Sequence, residues 1–283
     1  MIAADQLHRL RALRAGLAEF DLLTVAFSGG ADSALLAKVA TDVLGPSRVL
    51  CVTAVSPSLA PEELADAEAL AREWGLRWRT VTTTESDDPS YAANDTGRCY
   101  HCKSALMVAL DALGETDARR PAQVVLGVNV DDLGDHRPGQ QAATERGARF
   151  PLVEARLTKA DVRALSRMLG LRTWDKPAAA CLASRVPYGT PVTVTTLAGV
   201  AAAESGLRAL GFRQVRVRHY GDLARIELEL PDLPEAVARR DEVVAAVRGA
   251  GYRYVTLDLE GFRSGNLNAA AGIEGRTIGG RAS

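Results

Sequence analysis

The sequence predicts an α/β fold, in which a parallel sheet has helices on both faces and a smaller C-terminal α+β domain follows. Short apolar runs alternate with amphipathic helical patterns up to residue 169. A stretch with three prolines at 171–195 then ends the alternation, and two neighbouring strand patterns come after it. The chain has 283 residues, which is enough for about two domains.

The first domain opens with an amphipathic helix over 2–19, because leucines recur there at spacings of three and four residues. An apolar strand at 22–27 ends in a glycine loop, and apolar residues at helical spacing follow over 35–43. The same patterns predict strands at 49–55, 76–81 and 124–128, and helices at 61–74, 100–113, 140–146 and 159–169. Because strands alternate with helices, we expect right-handed crossovers and a parallel sheet that is buried on both faces.

Residues 171–195 are polar and lack a periodic pattern, which is typical of a long functional loop or a linker. Beyond them the patterns predict a helix at 196–210, strands at 214–219 and 224–230, a helix at 233–248 and a strand at 254–259. We therefore expect one domain over 1–185, a second over 186–270 and a flexible tail over 271–283.

The charge balance argues against a nucleic-acid partner. The chain has 34 Lys and Arg against 35 Asp and Glu, and residues 186–283 have 12 Arg against 11 acidic residues, so neither is polycationic. Only 4 of the basic residues are lysines and 30 are arginines, a bias that we attribute to genome base composition. At 47% hydrophobic and 24% charged residues, the composition excludes disorder along the whole chain.

We expect a cytoplasmic protein, because the sequence has neither an apolar run of 18 residues nor a signal peptide. In a reducing compartment, cysteines are more often thiols or ligands than disulfide partners. Four cysteines are present, and Cys51 lies inside an apolar strand, where we expect it to be a core residue.

The first strand is followed by the hexad Ser28-Gly29-Gly30-Ala31-Asp32-Ser33, which opens a helix. Free backbone N–H groups and the helix dipole favour an anion at such a helix start. Glycines let the backbone approach phosphate oxygens, and the hydroxyls of Ser28 and Ser33 add donors. The loop is neither a Walker A motif nor the GxGxxG fingerprint of dinucleotide-binding folds.

A second polar segment, Gly127 to Asp132, follows a later strand and includes Asn129 and Asp131. Carboxyl ends of parallel strands form the edge at which α/β sheets bind ligands. We expect Gly127, Asn129 and Asp131 to hold a nucleotide or a metal there, and the alternative is a simple Asx-rich turn.

Two cysteine motifs remain. Cys99 and Cys102 form a CxxC pair on a loop or a first helical turn, which suits zinc, iron–sulfur or redox chemistry. Cys181 lies near Lys176 and Arg185, two cations that would lower its pKa and favour the thiolate, although an inert loop cysteine is the alternative.

The hexad resembles the PP-loop of the ATP pyrophosphatases, the group that includes GMP synthetase, NAD synthetase and tRNA thiolation enzymes. The resemblance implies that Ser28, Gly29, Gly30, Asp32 and Ser33 bind ATP and Mg²⁺. It also implies cleavage of ATP to AMP and pyrophosphate, which activates a carboxylate or carbonyl oxygen as an adenylate.

A more specific resemblance covers most of residues 20–265. The chain has, in the order of the LarE family, the motifs SGGADS, RCYHCK, GVNVDD, DHRPGQQAATERGARFPL, LTKADVRALSRMLGL, TWDKPAAACLASRVPYGT, RVRHYGDLARIE and LDLEGFRSGNLN. LarE enzymes are ATP-dependent sulfur transferases of nickel-pincer nucleotide biosynthesis. The resemblance implies adenylation of pyridinium-3,5-biscarboxylic acid mononucleotide, conversion of the carboxylate to a thiocarboxylate, and a homo-oligomer with a hexamer as the candidate.

Two LarE subtypes differ in how they supply sulfur. One sacrifices a single cysteine, which becomes dehydroalanine, and the other binds a [4Fe–4S] cluster through three cysteines. Because it has the CxxC pair as well as Cys181, this chain resembles the cluster subtype, with Cys99, Cys102 and Cys181 as ligands. Sacrificial sulfur transfer from Cys181 is the alternative.

We expect Cys181 and Asp32 to be the catalytic residues, and Arg185 to belong to the binding site. Arg218 and Arg263 flank strands of the smaller domain, where a guanidinium would suit the substrate's phosphate, and plain surface arginines are the alternative. Two other functions compete with sulfur transfer to a small nucleotide: tRNA thiolation, and ATP sensing without cleavage. The balanced charge disfavours the first, and the complete hexad together with Cys181 disfavours the second.

Overall fold

The computed structural model describes residues 3–115, 122–134, 138–177 and 180–263, and divides them into two compact units. The first unit takes its residues from Met1–Ser56, Pro61–Glu85 and Cys99–Ala179. The second takes its residues from Pro57–Ala60, Ser86–Arg98 and Ala180–Ser283. The expected domain bounds at 185 and 270 stay predictions, and the tail expected from residue 271 lies outside the described residues.

Seven strands and eleven α-helices lie in the described ranges. The strands are β1 Leu23–Ala26, β2 Val49–Val55, β3 Trp78–Thr82, β4 Gln123–Leu126, β5 Val215–Tyr220, β6 Leu223–Leu228 and β7 Tyr254–Leu257. The helices are α1 Ala4–Ala18, α2 Ala31–Leu44, α3 Pro61–Glu73, α4 Pro89–Ala92, α5 Arg98–Glu115, α6 Pro138–Glu145, α7 Pro151–Glu154, α8 Lys159–Met168, α9 Val194–Ala209, α10 Leu233–Ala238 and α11 Arg240–Gly249. None of the helices in these ranges is long and apolar enough to cross a membrane.

The first unit contains a four-stranded parallel sheet in the order β3-β2-β1-β4. In β1, Leu23 and Val25 face a core that includes the leucines of α1 and α2, whereas Ala26 packs against a second core that includes Leu106 and Met107 of α5. The sheet is thus covered by helices on both faces, and the predicted α/β fold is confirmed.

The second unit contains a three-stranded sheet in the order β5-β6-β7, in which β5 and β6 are antiparallel and β7 is parallel to β6. Gly221, with φ +62°, lies in the turn between β5 and β6. Val217 and Ile226 pack in one core with Leu207 of α9 and Val247 of α11. This is the separate α+β element expected after the long loop.

One predicted helix, over 233–248, is wrong as a single element. The chain forms α10 and α11 instead, and Arg239 between them leaves helical geometry with φ −100° and ψ 28°. The Arg239 guanidinium donates to the Leu210 carbonyl oxygen at 2.8 Å, which joins this break to the end of α9. The loop predicted over 171–195 also contains a 3₁₀ turn at Leu182–Arg185.

Candidate active site

The glycine loop joins β1 to α2 and is held in shape by its two serines. The Ser33 hydroxyl accepts a hydrogen bond from the Ser28 N–H at 3.2 Å and donates to the Gly30 carbonyl oxygen at 3.1 Å. The two serine hydroxyl oxygens are 3.1 Å apart. Gly30 caps α2 without a side chain, so the first-turn N–H groups of this helix remain available to an anion.

Two glycines are required by close backbone contacts. Gly29 has φ +71°, and a Cβ there would lie 3.3 Å from the Ala67 Cα of α3. A Cβ on Gly127 would lie 2.7 Å from the Ser33 backbone nitrogen. Gly127, at the end of β4, therefore lets the second polar segment lie directly against the start of α2.

The Asp32 carboxylate lies in the first turn of α2 and is held by two donors. Asn129 Nδ2 donates to one oxygen at 3.0 Å, and the Lys159 ammonium lies 2.5 Å from the other. The Asp32 side chain keeps 19% of its exposure and that of Lys159 keeps 33%, so both groups still reach solvent. A negative charge at a helix N-terminus is also favoured by the helix dipole.

The segment after β4, Gly127 to Asp132, is held in shape by hydrogen bonds to its own side chains. The Asn129 N–H donates to an Asp132 carboxylate oxygen at 3.0 Å, and the Asp131 N–H donates to Asn129 Oδ1 at 2.9 Å. The Lys159 N–H donates to Asp131 Oδ2 at 2.8 Å, which joins this segment to the start of α8. The predicted position of the segment after a strand is confirmed, whereas its ligand-binding role stays a prediction.

The contact of Lys159 with Asp32 was not predicted from the sequence. Lys159 is the first residue of α8, directly after the N-cap Thr158, whose hydroxyl accepts from the Asp161 N–H at 3.2 Å. A lysine in the first turn of a helix is unfavourable for the helix dipole, so its presence there is a signal that the sequence carried. Arg9 of α1 donates to Asp161 at 2.6 Å and ties this helix start to α1.

A second lysine also contacts the glycine loop. The Lys176 ammonium donates to the Gly29 carbonyl oxygen at 3.2 Å, and to the carboxylates of Glu63 at 2.8 Å and Asp66 at 2.6 Å. Burial raises the pKa of Asp66, but the hydrogen bonds from Lys176 and Arg172 outweigh it and hold that pKa below its ordinary value. The Lys176 charge, expected to favour a Cys181 thiolate, is therefore shared with two carboxylates.

The CxxC pair lies in the first turn of α5. The sequence had predicted either a loop or a first helical turn for it. The Cys99 side chain is exposed and that of Cys102 is partly exposed, with its sulfur 4.0 Å from Glu85 Oε1. The neighbouring Tyr100 hydroxyl donates to Glu145 of α6 at 2.5 Å, and this hydrogen bond raises the pKa of Tyr100. A Cβ on Gly139 would lie 3.0 Å from the Cys99 carbonyl oxygen, so a glycine lets α6 approach this turn.

Cys51 behaves as predicted for a core residue. It lies in β2 with no exposed surface, and burial raises the pKa of its thiol to about 12. A thiol in this setting is inert, which separates Cys51 from the three other cysteines.

In the second unit, Cys181 is exposed and directly precedes the 3₁₀ turn Leu182–Arg185. The buried Arg185 guanidinium pairs with Glu204 at 2.7 Å and donates to the carbonyl oxygens of Ala180 and Cys181 at 2.8 and 3.2 Å. Arg185, expected in the binding site, thus holds the backbone of the Cys181 loop in this structure.

The two arginines expected to bind the substrate's phosphate lie in different environments. Arg218 is buried, donates to Glu227 at 2.9 Å and donates to the Ser184 carbonyl oxygen at 2.8 Å. The Arg263 side chain is 45% exposed and pairs with Glu260. Burial, together with the positive charges of Arg218 and Arg185, lowers the pKa of the neighbouring Arg216 to about 10. Arg218 thus stabilises a buried carboxylate, whereas Arg263 remains accessible to solvent.

The structure brings part of the predicted site together. Within the first unit it places at one sheet edge the residues Ser28, Gly29, Gly30, Asp32, Ser33, Gly127, Asn129 and Asp131. Cys99 and Cys102 belong to the first unit, whereas Cys181, Arg185, Arg218 and Arg263 belong to the second. Across the described residues, no group of three or more His, Cys, Asp or Glu side chains is arranged to hold a metal ion.

A parallel sheet with this serine- and glycine-rich loop at the end of its central strand β1 defines a PP-loop enzyme. In agreement, residues 14–99 match the family model described as NAD synthase. The chain is 42% identical to the pyridinium-3,5-bisthiocarboxylic acid mononucleotide synthase of Lactiplantibacillus plantarum, over 90% of this chain and 92% of that protein. The chain belongs to the family of that synthase, the LarE family.

Two further relatives cover similar lengths. An uncharacterized protein of Synechocystis sp. is 50% identical over 92% of this chain and 97% of its own length. An uncharacterized protein of Methanocaldococcus jannaschii is 27% identical over 86% of this chain and 91% of its own length. The similarity to these relatives therefore extends over both units and is not limited to the PP-loop.

Proposed function

We propose that this enzyme is an ATP-dependent sulfur transferase that acts on pyridinium-3,5-biscarboxylic acid mononucleotide. The observation that carries the proposal is the anion-binding start of α2, with Asp32 beside it, in a chain related to a synthase of the bisthiocarboxylic acid mononucleotide. A carboxylate does not exchange oxygen for sulfur unless that oxygen is first made a leaving group, which is the task of ATP.

The proposed reaction has two steps. A carboxylate oxygen of the substrate attacks the α-phosphorus of ATP, and pyrophosphate leaves with the electron pair of the broken bond. A sulfur nucleophile then attacks the carbonyl carbon of the acyl-adenylate, and AMP leaves, which gives a thiocarboxylate. Electrostatic stabilisation of the leaving groups is the main contribution that the protein can make to such transfers.

The residues of the glycine loop suit the first step. The first-turn N–H groups of α2 and the hydroxyls of Ser28 and Ser33 are donors for phosphate oxygens. The Asp32 carboxylate pairs with the Lys159 ammonium, the Asp131 carboxylate accepts from the Lys159 backbone N–H, and hard oxygen donors of this kind fit Mg²⁺. We propose that these two residues hold the Mg²⁺ that accompanies ATP.

For the second step we propose that Cys99, Cys102 and Cys181 bind one [4Fe–4S] cluster. Their thiols suit the group chemically, since each is exposed or partly exposed and free of any disulfide, whereas Cys51 is buried. A cluster with three protein ligands supplies one iron with an open position for sulfide. The competing proposal is that the exposed Cys181 gives up its own sulfur.

Turnover with the proposed substrate tests the function. The anaerobically purified protein is incubated with MgATP, sulfide and pyridinium-3,5-biscarboxylic acid mononucleotide, and AMP, pyrophosphate and the thiocarboxylate product are measured. We expect AMP, pyrophosphate and thiocarboxylate in equal amounts. AMP formation only with unmodified tRNA would indicate tRNA thiolation instead, and ATP binding with no cleavage would indicate a sensor. A cytoplasmic location and a homo-oligomer, with a hexamer as the candidate, stay predictions.

A further inference from the structure

Three buried arginines hold the backbone around Cys181 through its carbonyl oxygens. Arg185 and Arg218 are two of them, as described above. The third, Arg98, donates to the Ala183 carbonyl oxygen at 2.9 Å, in the 3₁₀ turn that directly follows Cys181. A buried guanidinium that donates to a carbonyl oxygen fixes the backbone at that point, because it is costly to leave either group unpaired.

Arg98 is held in turn by a fully buried asparagine. The Arg98 guanidinium donates to Asn94 Oδ1 and lies 5.8 Å from the centre of the Tyr188 ring. Asn94 Nδ2 donates to the carbonyl oxygens of Pro187 and Thr190, at 2.8 Å each. The backbone of Asn94 is left-handed, with φ +55°, a conformation that asparagine tolerates better than most residues. One amide side chain thus fixes both the guanidinium and the segment that continues the Cys181 loop.

Arg98 also begins the helix that contains the CxxC pair. It is the first residue of α5, and a single peptide bond joins it to Cys99. The contacts of its guanidinium with Asn94, Ala183 and Tyr188 all lie within the second unit. The side chain of Arg98 therefore holds one cysteine motif, while its backbone leads directly into the other. A substitution of Arg98 would loosen the Cys181 turn without removing any proposed ligand.

We propose that Arg98 is a positioning residue for sulfur delivery, which fixes the Cys181 turn in advance of cluster binding. This inference rests on the proposed function, in which Cys181 is a cluster ligand together with Cys99 and Cys102. A ligand that is already held in place loses little conformational freedom on binding, so a fixed turn strengthens the binding of the cluster. Arg98 acts through the backbone of the turn and exchanges no proton or electron with the reactants.

Amide hydrogen exchange of the metal-free protein tests the positioning without turnover. The full chain is compared as wild type, Arg98→Met, Arg98→Lys and Arg239→Met. Arg239 is the matched control, because it also donates to a carbonyl oxygen of the second unit, that of Leu210, but lies in the break between α10 and α11. We expect the amides of 182–190 to exchange about 10-fold faster in Arg98→Met, as for the loss of one hydrogen bond, and at the wild-type rate in Arg239→Met. Unchanged exchange of 182–190 in Arg98→Met would overturn the positioning.

Loss of iron to a chelator measures the consequence for the proposed cluster. Each variant is loaded anaerobically with iron and sulfide, and the release of iron to an excess of a coloured chelator is followed at a temperature well below every melting temperature. We expect release about 10-fold faster in Arg98→Met and unchanged in Arg239→Met. Arg98→Lys should be intermediate, because lysine keeps the charge but not the planar fork. A purely structural role would lower the melting temperature of Arg98→Met and leave its iron release at the wild-type rate, and that result would refute the proposal.

Arg98→Lys decides the matter if Arg98→Met does not fold. Wild-type exchange of 182–190 and wild-type iron release in Arg98→Lys would then count against the positioning role. The two proposals can also fail separately. If the wild-type protein retains no iron, the proposed cluster fails, and the exchange of 182–190 in the metal-free protein alone decides whether Arg98 fixes the turn.

Discussion

At the scale of single residues, Asp32 combines three features that suit a binding role. It lies in the first turn of a helix, it is held by one amide and one ammonium, and it still reaches solvent. A structural carboxylate would be satisfied by its protein partners alone. The residual exposure of Asp32 beside the glycine loop leaves an oxygen accessible to the Mg²⁺ that we propose.

We expect Asp32→Ala to abolish AMP formation while the protein remains folded, because the variant removes the proposed oxygen ligand of Mg²⁺ and the partner of Lys159. Asp42→Ala is the control, since the exposed Asp42 lies on the same helix and pairs with Lys38. AMP release is measured by chromatography and folding by circular dichroism. Undiminished AMP release in Asp32→Ala would refute the assignment of Asp32.

Lys176 is expected to position the glycine loop rather than to contact ATP. Lys176→Met removes the donor to the Gly29 carbonyl oxygen, so we expect the KM for ATP to rise about 10-fold with a smaller change in kcat. Arg172→Met is the matched control, because Arg172 shares the partner Asp66 but pairs otherwise with Glu73. Equal KM values for the two variants would remove the positioning role.

Exposure distinguishes the two arginines proposed for the substrate's phosphate. Because the Arg263 side chain is 45% exposed, Arg263→Ala should weaken substrate binding about 10-fold and leave the melting temperature unchanged. The exposed Arg253 provides the control variant Arg253→Ala. Unchanged substrate affinity in Arg263→Ala would remove that residue from the site.

Arg218→Ala, by contrast, is expected to lower the free energy of unfolding by about 1–3 kcal/mol, since Arg218 is bound to the fully buried Glu227.

At the scale of elements, the start of α8 is stabilised both by its own cap and by side chains of α1. Its N-cap Thr158 and the carboxylate of Asp161 form a capping box, to which Arg9 and Gln6 of α1 also donate. Burial raises the pKa of Asp161, but the hydrogen bonds from Thr158 and Gln6 and the charge of Arg9 outweigh it and lower the pKa below its ordinary value. The position of Lys159 follows from this cap.

The lowered pKa of Asp161 predicts a pH-dependent stability. Its contribution is fully present above the unfolded pKa of about 3.9 and is lost as the pH falls through the lower folded value. Asp161→Asn should therefore lower the free energy of unfolding at pH 7 by about 1–3 kcal/mol, with a smaller difference at pH 3. Urea unfolding at both pH values measures this, and Asp241→Asn, at a carboxylate 91% exposed, is the control. A difference that is equal at both pH values would contradict the linkage.

At the scale of the whole molecule, the two units differ in the cysteines that they contain. The CxxC pair belongs to the first unit and Cys181 to the second, so the three proposed cluster ligands come from both. Each of the three thiols is exposed or partly exposed, and the fourth, Cys51, is buried in β2.

We expect the iron-loaded enzyme, supplied with sulfide, to make more than one product per chain, because a cluster can be recharged and a cysteine cannot. Serine variants of Cys99, Cys102 and Cys181 should each lose bound iron, whereas Cys51→Ala should retain both iron and turnover. Iron and sulfide analysis under anaerobic conditions and mass spectrometry of the chain provide the measurements. Dehydroalanine at position 181 after reaction, with one product per chain, would contradict the cluster proposal.

The sequence by itself determined the α/β class, most strands and helices, and the two polar segments that follow β1 and β4. These are local features of the sequence. A short apolar run predicts β2 at Val49–Val55, and six consecutive residues predict the glycine loop. The break at Arg239 was not predictable in this way, because a change in the dihedrals of one residue leaves no mark on the hydrophobic pattern.

Only the tertiary structure decided which charges meet. Lys159 and Asp32 are 127 positions apart in sequence, and they meet because the segment after β4, a strand adjacent to β1, binds the start of α8 through Asp131. Residue type and spacing carry no information on such pairs, since four strands can be ordered in several ways with the same periodicity. Burial likewise separated Arg218 from Arg263 and Cys51 from the other cysteines, because it depends on the packing of both faces of each sheet.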